Sequence, residues 1–158
     1  MRLQDLVHPE AIVPELESTE RNGAIRELVR VLAEVGAIDG GRVDSIVKSI
    51  IARERTRGTT GFGKGVAAPH AKVEGLERVV ASIGCSRRGI DFAALDGQPV
   101  YTAILLLSPS DKPELHLKAM DLVFRHLQQE RFRKFLRQST TREEIYDLLR
   151  EADENLLG

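Results

Sequence analysis

The run Val100-Tyr101-Thr102-Ala103-Ile104-Leu105-Leu106-Leu107 constrains the fold more than any other stretch of the chain. A strand with one wet face alternates apolar and polar residues, and this run does not. It predicts a central strand covered on both faces. Its length suits a strand and falls well short of the roughly 20 apolar residues of a membrane span. Val79 to Cys85 reads as another strand. Ala11 to Leu16 reads as a short one, which Pro14, lacking a backbone donor, pushes to a sheet edge.

Helical spacing surrounds these strands. Ile25, Leu28, Val29 and Leu32 follow the candidate caps Ser18 and Thr19, and Gly36 stops that helix. Val43, Ile46, Val47, Ile50 and Ile51 predict a second helix from near Gly41, fraying in the charged stretch Arg53–Arg57. Pro113 opens a third, to about Gln129, and a short helix is expected around Phe132, Phe135 and Leu136. The last has a capping box at Thr141 and Glu144 and a buried face of Ile145, Leu148, Leu149 and Ala152. Helices around a group of strands predict a single layered α/β domain over residues 1–158, with a core of about 11–151. The tail from Glu154 to Gly158 is expected to be loose.

The charge balance narrows the partners. There are 23 basic and 24 acidic residues, a formal net charge of -1. No field of one sign favours nucleic acid or membrane insertion. Arg125, Arg131, Arg133, Lys134 and Arg137 read as solvated faces interleaved with Phe132 and Phe135. The single cysteine, Cys85, cannot form an internal disulfide, and the start of the chain lacks a basic-then-apolar leader. Both point to a cytoplasmic location.

Chemistry centres on four histidines. His70 follows Pro69 at the end of the loop Gly58-Thr59-Thr60-Gly61-Phe62-Gly63-Lys64-Gly65. An imidazole there is either a nucleophile, largely neutral near pH 7, or a loop histidine with no task. His116 shares an apolar helix stripe with Met120, Val123 and Leu127. It is either a core histidine bonded to a backbone carbonyl or a donor to a neighbouring anionic group. His126 reads as structural, and His8 carries no signal. His116 and His126 are ten residues apart on one helix, too far to chelate a metal together, and no cysteine cluster exists. The glycine-rich loop lacks a Walker or dinucleotide frame and is a weak sign of anion binding. Arg53, Arg55 and Arg57 either offer a guanidinium to a phosphoryl group or form a solvated helix end.

The segment Thr60-Gly61-Phe62-Gly63-Lys64-Gly65-Val66-Ala67-Ala68-Pro69-His70 resembles the T-G-I-G-x-G-[IV]-A-x-P-H signature of enzyme IIA type-2 domains. These form the fructose, mannitol and nitrogen-regulatory class of the bacterial phosphoenolpyruvate-dependent sugar phosphotransferase system. Gly89 to Val100, Leu105 to Pro109, Glu114 to Leu117 and Arg142 to Ile145 resemble further stretches of the same class. Together they span about Ala11 to Glu151.

The resemblance implies a mixed sheet flanked by helices, of the phosphotransferase/anion-transport-like kind. It implies a phosphotransferase component in which His70 accepts a phosphoryl group from an HPr-type phosphocarrier. His116 would sit beside it, and an arginine at the end of the preceding helix would hold the charge. The usual spacing, four residues before Gly58, lands on Glu54. One extra residue restores Arg53, the preferred choice, with Arg55 next. No metal or bound cofactor is implied. The group would pass to a sugar permease component, or the phosphorylation state would act on a regulated protein. The absence of a fused permease or HPr segment leans towards regulation. Partners would dock on a partly apolar surface with Phe62 and Val66. The alternative is a non-phosphorylated interaction module on the same fold.

Overall fold

The computed structural model describes residues 1–157. Six strands form one mixed sheet: β1 (Val7–Val13), β2 (Gly61–Gly63), β3 (Val66–Ala67), β4 (His70–Val73), β5 (Val80–Ile90) and β6 (Val100–Pro109). β6 is the central strand. It pairs antiparallel with β5 on one side and parallel with β3 and then β4 on the other. β1 lies parallel to β5 at one edge, so Pro14 falls just past the end of an edge strand.

Six helices cover the sheet: α1 (Leu3–Leu6), α2 (Arg21–Glu34), α3 (Val43–Arg57), α4 (Pro113–Leu127), α5 (Glu130–Gln138) and α6 (Arg142–Asp153). The strand period of two sorts β6 between two cores. Ala103, Leu105 and Leu107 pack with α2 and α3, whereas Ile104 and Leu106 pack with α1, α4, α5 and α6. Burial on both sides is why this run shows no alternation.

Several boundaries differ from the sequence reading. The cap of α2 is Glu20, whose carboxylate accepts from the Asn22 and Gly23 N–H groups. Ser18 and Thr19 are engaged elsewhere: Glu27 binds the Ser18 N–H, and the Thr19 carbonyl accepts from Asp91. α3 does not fray at Arg53 but runs to Arg57. Its Glu54 is buried, and both carboxylate oxygens accept from the Thr60 N–H, clamping the helix end to the loop. The chain ends are packed too. Leu3 and Leu6 are buried, and Leu157, expected in a loose tail, is only 5% exposed. The buried core therefore reaches beyond residues 11–151. α6 has the expected cap, with the Thr141 hydroxyl accepting from the Glu144 N–H.

Candidate functional site

His70 opens β4, opposite Leu106 of β6. Its approach is tightly held: the Ala68 N–H donates to the Thr60 carbonyl, and the Leu106 N–H to that of Pro69. The ring is buried, with Nδ1 2.8 Å from the Ala68 carbonyl oxygen. A carbonyl only accepts, so Nδ1 carries the proton and the lone pair falls on Nε2.

His116, on α4, lies beside it, with ring centroids 5.3 Å apart and the planes inclined at 49°. It points inward as its stripe predicts, but its partner is not a backbone carbonyl. Nδ1 lies 2.8 Å from the hydroxyl oxygen of Ser108, a buried residue of β6. When that hydroxyl donates, Nδ1 accepts and the His116 proton sits on Nε2.

Both rings open on a cleft of about 780 Å³. α3 contributes Arg53 and Arg57, one helical turn apart, and α4 contributes His116, Met120 and Phe124 at the same spacing. Arg55, two residues from Arg53, faces away from the cleft and is exposed. The helix rotation thus brings Arg53 to the histidines and excludes Arg55. Lys72, two residues after His70 on β4, shares its face and also lines the cleft.

Electrostatics follow from this packing. Burial lowers the His70 pKa from 6.5 to about 4, and the positive charges of Arg53 and Lys72 act in the same direction. The Ala68 carbonyl opposes them. The His116 pKa is lowered too, by burial first and then by Lys72 and Arg53. Two neutral imidazoles thus face a cleft whose charged side chains are all cations, a setting that favours a bound anion.

The rim is apolar. Phe62 packs on Phe124 with centroids 4.3 Å apart, and Leu117 is 70% exposed. Val66, expected on this surface beside Phe62, is instead 5% exposed and packed in the core with α4 to α6. His126 is buried against Phe132, away from the cleft, and His8 is exposed on β1.

Comparison with known proteins decides the family. The family described as the phosphoenolpyruvate-dependent sugar phosphotransferase system, EIIA 2, matches residues 5–152. The chain belongs to this family. As an EIIA domain, it is a phosphoryl carrier of the phosphotransferase system. It is 38% identical over 149 residues to a nitrogen regulatory protein of Bradyrhizobium diazoefficiens, covering 94% of this chain and 95% of that one. It is 28% identical over 153 residues to the fructose-specific EIIABC component of Bacillus subtilis; the match covers 97% of this chain but only 24% of that protein. The crystal structure of nitrogen regulatory protein IIA-Ntr from Neisseria meningitidis superposes with a TM-score of 0.80 at 26% identity, covering 92% and 97% of the two chains. No helix of the described residues is long and apolar enough to cross a membrane.

Three groups around this EIIA cleft escaped the sequence reading. Lys72 was discoverable, because residues i and i+2 of a strand share a face. Ser108 had no local signal; only the packing of α4 on β6 brings it to His116. Thr60 reads as part of the loop, and only the packing shows its hydroxyl buried in the cleft wall without a partner among the described residues.

Proposed function

We propose that His70 Nε2 is the phosphoryl acceptor of this EIIA domain. The observation that carries the reading is the bond from His70 Nδ1–H to the Ala68 carbonyl, which leaves the Nε2 lone pair facing a cationic cleft. In the transfer, Nε2 attacks the phosphorus of a phosphohistidine on an HPr-type carrier. The new N–P bond forms as the donor N–P bond breaks, and the donor imidazole leaves with its electron pair. No metal or cofactor enters the step. Charge spreads over the three equatorial oxygens, and positioned donors stabilise it. Arg53 and Lys72 supply positive charge, and His116 supplies an Nε2–H donor oriented by Ser108.

Onward transfer goes to a protein docked on the Phe62, Phe124 and Leu117 rim. The 38% identity to a nitrogen regulatory protein over nearly the whole of both chains supports a regulatory role over a purely transport one. In that reading the phosphorylation state controls a regulated protein by binding; in the transport reading the group passes to a sugar permease component.

The test is incubation with labelled phosphoenolpyruvate, enzyme I and an HPr-type carrier. The expected product is an acid-labile, base-stable phosphohistidine, absent in His70→Ala. In His116→Ala labelling slows by about 100-fold while the fold is retained. Equal labelling of His70→Ala would overturn the assignment. No labelling of the wild-type chain would favour the non-phosphorylated interaction module.

A further inference from the structure

A second cleft, of about 470 Å³, shares no lining residue with the first. Phe62 lines the first cleft and Lys64 the second. The second is walled by Lys64, Arg133, Lys134 and Arg137, against the single carboxylate of Glu130. None of the four cations takes part in an ion pair among the described residues. In a chain of net charge -1, so one-sided a cluster does not follow from composition.

Two of the guanidinium groups are held in place before any ligand arrives. Arg137 stacks on the Tyr101 ring, its Cζ 3.6 Å from the centroid. Arg133 donates through Nη1 to the Leu127 carbonyl at 2.9 Å. Their remaining donors need little further ordering to meet an anion.

Lys64 is the unusual member. It sits in the left-handed region with φ 62°, between Gly63 at 103° and Gly65 at 77°. Glycine or asparagine fills such a position with less strain. Backbone conformation thus gives no reason for lysine, whereas its place in the lining of a cationic cleft does. Asp96 does not neutralise it as an ion pair; its carboxylate accepts from the Lys64 backbone N–H and orders the turn.

We propose that this cleft binds a phosphate chain, that of a nucleoside polyphosphate or of an inorganic polyphosphate. Several convergent cations suit an anion with several charges, and guanidinium groups match phosphate oxygens in pairs. The wall offers no exposed aromatic or aliphatic centre. Protein interfaces are built around such a centre, so the lining fits a small polyanion better than a protein surface. The site is independent of His70 and needs no phosphoryl transfer.

Calorimetry of the whole chain at low salt, without divalent cations, tests it with three probes: inorganic tripolyphosphate, ATP and inorganic phosphate. Tripolyphosphate is expected to bind more tightly than phosphate, and the binding to weaken as salt is added. Equal affinity for ATP and tripolyphosphate assigns the site to the phosphate chain alone. Tighter ATP binding assigns it to a nucleotide. Lys64→Asn removes a charge at a position asparagine favours, so the variant folds at least as well. It is expected to weaken tripolyphosphate binding about tenfold, as is Lys134→Glu. His70→Ala is expected to leave that affinity unchanged. Unchanged affinity in Lys64→Asn and Lys134→Glu, or no heat beyond that of a chloride control, would overturn the proposal. It would also be overturned if tripolyphosphate failed to bind while Lys134→Glu slowed transfer from an HPr-type carrier, for the cleft would then be a protein contact.

Discussion

One hydrogen bond, 2.8 Å long, decides which nitrogen of His70 carries the lone pair. Burial then decides when that lone pair is free. With a pKa near 4 in place of 6.5, the ring stays neutral through mildly acidic conditions. A ¹⁵N NMR titration should show a His70 midpoint near pH 4, with the Nδ1–H tautomer above it. Stability is linked to the same shift. Between pH 6.5 and 4 the unfolded chain binds the proton that the folded ring refuses, so stability rises with pH across this window. The contribution is complete above about 6.5 and lost as pH falls towards 4. Urea denaturation at pH 7 and pH 5 should show a larger loss for the wild type than for His70→Gln, which has no proton to bind there. The arginines give a second expectation. Arg53→Ala should slow phosphoryl uptake by about 10- to 100-fold in a quenched-flow assay, and Arg55→Ala should leave it unchanged. The sequence alone left this choice open. Whether Arg53 or Arg55 meets the histidine depends on how many helical residues precede the loop, and so on whether the helix frays.

At the level of elements, Glu54 explains why it does not. A carboxylate amid arginines reads as part of a solvated helix end. Here it is buried and holds an amide of the loop, that of Thr60. Glu54→Ala leaves that N–H without its partner and should cost about 1–3 kcal/mol, measured by urea denaturation, with faster amide exchange from Arg55 to Gly61. The longer elements were legible because each carries its own periodicity: β6 through its unbroken apolar run, α4 and α6 through their stripes and caps. β2, β3 and β4 were not, being only three, two and four residues long. β3 and β4 are strands because β6 offers unpaired backbone groups beside them, and β2 because β3 does, a fact no local window contains. The site divides the same way. His70 and His116 could be named from residues, whereas Ser108 and the unpartnered Thr60 hydroxyl emerge only from the packing.

For the molecule as a whole, the sheet separates two cores, and the candidate phosphoryl cleft lies where α3 of one layer and α4 of the other reach past β4. Neither layer alone supplies both the arginine and the second histidine. The first and last helices are tied to each other. The Asp153 carboxylate, at the last residue of α6, accepts from the Leu3 N–H at 2.7 Å and the Gln4 N–H at 3.0 Å. It caps α1 from 150 residues away. Asp153→Ala should lower stability by about 1–3 kcal/mol, read as a shift of the thermal midpoint, and leave phosphoryl uptake at saturating donor unchanged. That clasp has a consequence for how such a unit is used. A fold whose first and last turns touch needs only a narrow gap in a host polypeptide. It can be spliced into a surface loop of another protein, or cut open elsewhere and rejoined at its old ends, without pulling its histidines apart.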